Sequence, residues 1–263
     1  MNHPLFDLGG KVALLTGATH GLGLAMAEGL ASAGATIVLN GHSSQDKLDA
    51  AVQSLTAKGY SAHGYLFSVT DEEQVEAAVA RIEAEVGPIG VLVNNAGLIK
   101  RIPLLEMKLT EWRQVIETDL TGVFVMSKPV VQRMIQRGGG KVINICSMMS
   151  ELGRNSVGAY AAAKGGLKML TRNMATEWAK HNIQVNGIGP GYFATAQTEA
   201  VRVDGNPFNQ FIIDRTPAGR WGDPQDLQGA AIYLAGTASN FVNGQILYVD
   251  GGLLATIGKP HGE

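Results

Sequence analysis

The chain has 263 residues, of which 45% are hydrophobic and 17% are charged, and its formal net charge is -2. This composition is typical of a globular protein, and the small net charge excludes a general electrostatic attraction to nucleic acid or anionic membranes. The single cysteine, Cys146, excludes an internal disulfide, and neither a signal peptide nor an apolar run of membrane-spanning length is found in the sequence. We therefore expect a cytoplasmic protein with no nucleic-acid or membrane partner.

Short aliphatic segments alternate along the chain with segments of helical period. Seven segments are predicted strands, at residues 11–17, 35–40, 62–67, 90–95, 140–147, 183–189 and 245–252. Residues 71–87 are typical of an amphipathic helix, since Val75, Val79, Ile82 and Val86 share one face. This alternation predicts a doubly wound α/β fold with a parallel sheet of about seven strands, helices on both faces, and a ligand site at the carboxyl ends of the strands.

The first predicted strand ends in the glycine-rich sequence TGATHGLG, which contains Gly17, Gly21 and Gly23 and opens a helix. Glycines at this point allow a tight turn and bring a pyrophosphate close to the N–H groups of the helix amino terminus. Close packing of the strand against the helix is the alternative explanation. The position after the first strand of a βαβ unit favours a nucleotide.

The end of the second strand, NGHSS, bears on the choice of coenzyme. It has no carboxylate to hold the 2′-hydroxyl of NAD, and Asn40, His42 and Ser43 could donate to a 2′-phosphate. The prediction is therefore NADP, with NAD possible because no arginine is present. The alternative is an ordinary turn in which Gly41 adopts a positive φ.

A tyrosine and a lysine stand four residues apart in the small-residue segment AYAAAKGG. Asn155 or Ser156 is predicted to cap this helix, and Tyr160 and Lys164 then share a face. The ammonium favours the phenolate, so the tyrosine could take a proton from an alcohol or give one to a carbonyl. Ser147, at the end of the fifth strand, could bind the same oxygen. The alternative is a structural Tyr-x-x-x-Lys pair.

The motifs TGATHGLG, NNAG (94–97), Ser147, YAAAK (160–164) and PGYFAT (190–195) resemble, in order and spacing, the short-chain dehydrogenase/reductase family over nearly the whole chain. The resemblance implies one Rossmann-like domain over residues 1–263, a nicotinamide dinucleotide as coenzyme, and a homotetramer. It also implies that Tyr160 is the acid/base, that Lys164 binds the nicotinamide ribose, and that Ser147 orients the reacting oxygen. The implied cofactor contacts, besides Asn40, His42, Ser43, Tyr160 and Lys164, are Gly17, Thr19, His20, Gly21, Leu22, Gly23, Ser68, Val69, Asn94, Asn95, Ala96, Gly97, Pro190, Gly191 and Thr195.

The sequence departs from the family pattern at two places. Asp119 stands where the family usually has an asparagine that holds a relay water, so we count it among the catalytic residues. A carboxylate accepts but does not donate, so either the relay differs or a cation is held there; the alternative is a carboxylate that accepts backbone N–H groups at a helix distortion. Ser68 stands where an aspartate often contacts adenine. Cys146 is interpreted as a buried apolar residue, and no metal site is predicted.

A finer resemblance, carried by residues 140–195, 215–227 and 240–252, is to the gluconate 5-dehydrogenases of this family, which interconvert D-gluconate and 5-dehydro-D-gluconate. Reductases of 2-deoxygluconate and of ketodeoxyuronates share parts of these segments. Two other functional classes remain as alternatives to a sugar-acid enzyme: a reductase of acyl-carrier-bound ketones, and a nucleotide sensor without turnover.

A sugar-acid substrate needs a group that binds its carboxylate. Arg101 or Arg154, with Arg101 as the first choice, could do so with a bidentate contact, although an exposed arginine with no role is the alternative for each. The predicted lid over the substrate is residues 192–215. The expected substrate contacts are Arg101, Ser147, Met149, Arg154, Tyr160 and Tyr192.

Overall fold

In the computed structural model, which describes residues 3–258, seven strands form one sheet in the order β3-β2-β1-β4-β5-β6-β7, and all neighbours are parallel. The strands are β1 (Val12–Leu15), β2 (Thr36–Gly41), β3 (Ala62–Leu66), β4 (Ile89–Asn94), β5 (Gly140–Ile145), β6 (Ile183–Pro190) and β7 (Ile246–Val249). Every predicted strand is present, which confirms the predicted Rossmann-like α/β fold.

Within residues 3–258, eight α-helices connect and cover the strands. They are α1 (Gly21–Ser32), α2 (Gln45–Thr56), α3 (Glu72–Glu85), α4 (Leu109–Ile116), α5 (Gly122–Gln136), α6 (Gly158–Trp178), α7 (Pro207–Arg215) and α8 (Gln228–Ala235). Three residues of the predicted face of α3, Val75, Val79 and Ile82, are fully buried, whereas the fourth, Val86, follows the end of the helix and is partly buried. Within residues 3–258, no helix combines the length and apolar character needed to cross a membrane.

The start of α6 differs from the prediction. Neither Asn155 nor Ser156 caps the helix; Val157 is the residue before its first turn, and no side chain caps it. Ser156 instead has a left-handed φ of 65°, and its carbonyl accepts the Ile102 N–H at 2.8 Å. The turn before α6 is therefore bound to the loop after β4 rather than to its own helix.

Two apolar cores lie on opposite faces of the sheet. The adjacent residues Leu14 and Leu15 are both fully buried, one in each core. One core contains α1, α2 and α8, and the other contains α3, α5 and α6. Because parallel strands are covered on both sides, their sequences are continuous apolar runs rather than alternating ones.

The strand order reverses between β1 and β4. The chain leaves β1 toward β2 and β3 on one side, whereas β4 to β7 lie on the other, so the loops after β1 and β4 border a crevice. Thr16, after β1, joins the two loops: its Oγ1 accepts the N–H groups of Asn95 and Ala96, both at 3.0 Å. The fold therefore places a cleft at this edge of the sheet.

Candidate active site

A cleft of about 730 Å³ extends along the carboxyl ends of the strands. Its volume is within the range of small-molecule and cofactor sites. All the predicted catalytic residues and all the predicted substrate contacts line it, and so do most of the predicted cofactor contacts. These lining residues are Gly17, Thr19, His20, Gly21, Leu22, Gly23, Asn40, His42, Ser43, Ser68, Val69, Asn95, Ala96, Gly97, Arg101, Asp119, Ser147, Met149, Arg154, Tyr160, Lys164, Gly191, Tyr192 and Thr195.

The glycine loop is both closely packed and open to an anion. A Cβ on Gly17, whose φ is 58°, would lie 2.7 Å from the Ala96 Cα, and a Cβ on Gly23 would lie 2.5 Å from the Asn95 Nδ2. His20 precedes α1 without a side-chain cap, which leaves the N–H groups of the first turn for a ligand. The packing explanation is therefore correct, and the same loop fits a pyrophosphate.

Asn40 has a different role from the predicted one. Its side chain is only 1% exposed, and its amide donates to the carbonyls of Gly41 at 2.8 Å and Phe67 at 3.0 Å. Its Oδ1 accepts the Gly17 N–H at 3.1 Å. Both amide hydrogens are used, which contradicts the prediction that Asn40 donates to a 2′-phosphate; it binds the end of β2 to the glycine loop. Gly41 belongs to β2 and lacks a positive φ, so the turn alternative is wrong.

A positively charged residue beside this strand end escaped the sequence reasoning. His42 and Ser43 are exposed at the rim of the cleft, and Lys47 lines it beside them. Lys47 lies in the first turn of α2, where its N–H donates to the Ser44 side chain that begins the helix. The signal in the sequence was a lysine one turn after the helix cap. The three residues offer donors and a positive charge to a phosphate.

The two asparagines of the NNAG motif point in different directions. Asn94 is buried outside the cleft, and its amide donates to Ser127 at 3.0 Å and Asn144 at 2.9 Å, so its predicted place in the cofactor wall is wrong. The Asn95 amide donates to the carbonyl of Gly17 at 2.9 Å. Asn95 therefore lines the cleft and also holds the glycine loop.

Pro190 is another predicted cofactor contact that the structure does not bring to the cleft. It is the last residue of β6, buried and paired with Val249. Gly191 and Thr195, which follow it, do line the cleft.

Ser147 and Tyr160 lie on one wall of the cleft. The Ser147 Oγ accepts the Met149 N–H at 3.1 Å, which leaves its own hydrogen for a ligand oxygen. The Tyr160 phenol, in the first turn of α6, has no hydrogen-bond partner among residues 3–258. The turn that follows Ser147 contacts α6, since the Ser150 hydroxyl donates to the Lys164 carbonyl at 2.9 Å. The wall thus offers two hydroxyl groups to one ligand.

The Lys164 ammonium lies behind Tyr160. The side chain is nearly fully buried; its Nζ donates to the Ile145 carbonyl at 2.9 Å and lies 5.5 Å from the centre of the Tyr160 ring. Its Nζ is also 3.4 Å from the Asp119 Oδ2. Burial lowers the pKa of Lys164, but attraction to Asp119, with smaller contributions from Tyr160 and Cys146, raises it above its ordinary value.

Asp119 lies in a short π-helix, Glu117–Thr121, between α4 and α5. It is fully buried, and its Oδ1 accepts the Leu98 N–H at 2.8 Å. Burial raises the pKa of this carboxyl, against the opposing effects of Lys164 and of the Leu98 N–H. The alternative of a carboxylate at a helix distortion is therefore observed, and the cation beside it is Lys164. In the described part of the chain, no cluster of three or more His, Cys, Asp or Glu residues could hold a metal ion.

Cys146, beside Ser147, is 1% exposed, and burial raises the pKa of its thiol to about 11. A Cβ on Gly187 would lie 3.1 Å from its Sγ, so the sulfur fills a closely packed space. The thiol stays protonated at neutral pH and packs as a small apolar group, which agrees with its interpretation from the sequence.

The two candidate arginines differ in how firmly they are held. The Arg154 Nη1 donates to the Tyr192 Oη at 3.0 Å, and its guanidinium carbon lies 5.9 Å from the Tyr192 ring centre and 5.2 Å from that of Phe208. The Tyr192 ring also meets Trp221 edge to face, with centroids 5.6 Å apart. Arg101 is exposed at the rim. The structure therefore preorganises Arg154 and leaves Arg101 free to move.

Residues 192–215, the predicted lid, contain a 3₁₀ helix (Ala196–Val201) and α7. The segment is fastened to residues 215–227: the Ala194 N–H donates to the Gly222 carbonyl at 2.8 Å, and the Trp221 Nε1 donates to Asn209 at 2.7 Å. Its place beside Arg154 agrees with a substrate cover, and its movement stays a prediction.

Known proteins resemble this chain in sequence and structure. Residues 11–205 match the family described as short chain dehydrogenase. A 2-dehydro-3-deoxy-D-gluconate 5-dehydrogenase of Formosa agariphila is 67% identical over 263 residues, which is 100% of both chains. A 5-keto-D-gluconate 5-reductase of Escherichia coli is 49% identical over 96% of this chain and 99% of its own. The crystal structure of a gluconate 5-dehydrogenase from Burkholderia cenocepacia in complex with NADP and tartrate has a TM-score of 0.92 and 46% identity, and the match covers 97% of this chain and 99% of that one.

Proposed function

This chain belongs to the short-chain dehydrogenase family, and we propose that it transfers a hydride between NADP(H) and carbon 5 of a six-carbon sugar acid. The observation that carries the proposal is that Ser147, Tyr160 and Lys164 line one cleft, which Arg154 also lines. The names of both sequence relatives described above specify position 5 of such an acid.

The coenzyme proposal rests on two parts of the cleft. The uncapped first turn of α1 suits a pyrophosphate, and His42, Ser43 and Lys47 suit a 2′-phosphate. The bound NADP of the Burkholderia structure supports this assignment. NADP(H), when bound, supplies or accepts the hydride.

The residues on the cleft wall divide the remaining chemistry between them. The Ser147 hydroxyl donates to the substrate oxygen and fixes its position. Tyr160 gives that oxygen a proton when a ketone is reduced and takes it back when an alcohol is oxidised. The Lys164 ammonium favours the phenolate that forms, and it would bind the nicotinamide ribose. Such proton transfer contributes about 10²–10⁴-fold to a rate.

We assign the substrate carboxylate to Arg154. Its guanidinium is oriented by Tyr192 and Phe208, so little conformational freedom is lost when a carboxylate binds. Its Nε and Nη2 remain for a bidentate contact. Arg101, the first choice from the sequence, also lines the cleft and is the rival for the same role.

Two substrates are candidates. D-Gluconate, interconverted with 5-dehydro-D-gluconate, is the substrate that the sequence resemblance implies. 2-Dehydro-3-deoxy-D-gluconate is the second candidate, favoured by the 67% identity to the Formosa agariphila protein of that name.

The test is an assay with the purified protein. NADP reduction is followed with D-gluconate and with 2-dehydro-3-deoxy-D-gluconate, and NADPH oxidation with 5-dehydro-D-gluconate, a neutral keto-sugar and a β-ketoacyl thioester. We expect activity with at least one of the sugar acids and at most weak activity with the last two compounds. A preference for the thioester would replace the proposal with an acyl-carrier ketone reductase.

We also propose a homotetramer. Apolar side chains are exposed on two separate surfaces: Phe124 on α5 with Met169 on α6, and Phe241 with Leu247 near the edge strand β7. An unpaired edge strand and exposed apolar helix faces are typical of surfaces that a second copy covers. Sedimentation of a stable monomer at micromolar concentration would refute the assembly.

A further inference from the structure

The contact between Asp119 and Lys164 is buried in the wall of the cleft. The Asp119 Oδ2 has no hydrogen-bond partner among residues 3–258 and lies 3.4 Å from the Lys164 Nζ. A Cβ on Gly97 would come within 2.9 Å of this oxygen, so a side chain at position 97 would crowd the carboxylate. The second oxygen is held by the Leu98 N–H. The carboxylate therefore has one charged neighbour, the ammonium behind Tyr160.

The other ionisable groups around this pair are neutral or exposed. Tyr160 and Cys146 are the further groups that couple to Lys164, and burial keeps the thiol protonated at neutral pH. Glu117, on the same π-helix, is exposed, so its charge is screened by solvent. Asp119 is therefore the buried anion that opposes the Lys164 charge.

We propose that Asp119 is a positioning residue that offsets the charge of Lys164 and thereby keeps Tyr160 in its proton-donor form to a higher pH than the lysine alone would allow. Provided that Lys164 stays protonated without Asp119, its lone ammonium would stabilise a phenolate more strongly than the ion pair does, because a closely spaced ion pair presents a weaker field to the same phenol. The inference rests on the proposed role of Tyr160 as the acid/base.

The proton-donor form serves the reduction of a ketone. The carbonyl carbon gains a hydride from NADPH, the carbonyl oxygen gains the Tyr160 proton, and NADPH is oxidised to NADP. The π bond of the carbonyl breaks while one C–H and one O–H bond form. The reverse oxidation needs the phenolate, so its rate should rise toward alkaline pH.

The first experiment measures pH profiles of kcat/KM in both directions for wild type and Asp119→Asn. The amide removes the charge but keeps an oxygen that can accept the Leu98 N–H. We expect the midpoints in both directions to move to lower pH by about one unit, a tenfold change in the ionisation equilibrium. Glu177→Gln, an exposed change on the helix that carries Lys164, should leave them in place.

The second experiment needs no turnover. The phenolate absorbance of Tyr160 is obtained as the difference between wild type and Tyr160→Phe, and again between Asp119→Asn and the double variant, across a pH series. We expect the phenolate to form at a pH about one unit lower without the Asp119 charge.

The outcomes separate the inference from the proposed function. An absorbance shift without activity on sugar acids would leave the inference standing and refute the function. Activity with unchanged midpoints, or with midpoints moved to higher pH, would overturn the inference. Asp119→Ser, smaller and uncharged, should reproduce the shift, so the test does not depend on one variant folding.

Discussion

Arg154 and Tyr192 are joined by a hydrogen bond of 3.0 Å and by a cation–π contact, although 38 positions separate them in the chain. The bond connects the loop after β5, which carries Ser147, with the segment predicted to cover the substrate. Phe208 on α7 lies against the other part of the same guanidinium. This orientation supports the proposal that Arg154 binds the carboxylate end of the substrate.

Arg154→Ala should reduce kcat/KM for the sugar acid. The loss should correspond to about 2–4 kcal/mol of transition-state stabilisation, within the range for removing one partner of a buried charge pair. A neutral keto-sugar, poor with wild type, should lose far less, because it has no carboxylate to bind. Steady-state kinetics with both substrates measure the difference. Arg172→Ala, an exposed arginine outside the cleft, is the matched control. Equal losses for the two substrates would mean that Arg154 has only a structural role. A selective loss in Arg101→Ala alone would assign the carboxylate to Arg101.

Tyr160→Phe should bind NADPH normally and lose at least about 10²-fold in kcat, because the phenyl ring keeps the packing but cannot transfer a proton. Coenzyme binding is followed by fluorescence titration and turnover by NADPH oxidation. Tyr233→Phe, a tyrosine outside the cleft, should retain wild-type activity. Turnover of Tyr160→Phe within threefold of wild type would exclude Tyr160 as the proton donor.

Lys47→Ala should reduce kcat/KM with NADPH by about tenfold and leave the value with NADH nearly unchanged, since only NADPH carries the 2′-phosphate. Lys58→Ala is the control, because Lys58 is exposed, pairs with Glu28 and does not line the cleft. If both coenzymes lose equally in Lys47→Ala, or if wild type already prefers NADH, the assignment of the 2′-phosphate to this rim is incorrect.

Lys141, at the start of β5 and far from the cleft, should make stability depend on pH. It is 5% exposed, and its Nζ is bound to Ser239 at 3.2 Å and Asn240 at 2.8 Å. Burial and, to a smaller extent, the charge of Lys11 lower its pKa from 10.5 to about 8. Between these two pH values the unfolded chain holds a proton that the folded chain has released, so the free energy of unfolding should rise with pH.

The size of this effect is at most about 3 kcal/mol, since each pKa unit corresponds to about 1.4 kcal/mol. Urea unfolding of wild type and Lys141→Met between pH 7 and pH 10, a range set by that shift, isolates the contribution. The stability of wild type relative to the variant should increase over this range. Lys180→Met, at an exposed position, should show no such trend. A difference that is constant with pH would refute the shift.

Most of the fold could be predicted because the strands are apolar on both faces and alternate regularly with helices. The pattern of apolar residues along the sequence was enough to predict all seven strands and the buried face of α3. The start of α6 could not be predicted, because Ser156 is held in a left-handed conformation by a contact with Ile102, which is distant in sequence. Local capping preferences contain no information about such a contact.

Ser147, Tyr160 and Lys164, which were chosen by residue type, do line one cleft, and their catalytic roles stay predictions. The candidate site was predicted poorly where side-chain direction decides. Asn40 and Asn94 are polar residues at strand ends, yet both turn into the protein and use their amides to hold neighbouring segments. Lys47 was missed for the opposite reason, since it reaches the cleft from a helix rather than from the strand end.

The Thr16 N–H donates to the Val93 carbonyl at 3.0 Å across 77 positions of the chain. Closing so long a stretch costs chain entropy before its contacts are made, so β1 and β4 should pair late in folding. The coenzyme part of the cleft lies between the loops that follow these two strands and assembles only with them. During refolding, NADPH binding should therefore return with the slowest kinetic phase, after most of the helix signal has recovered.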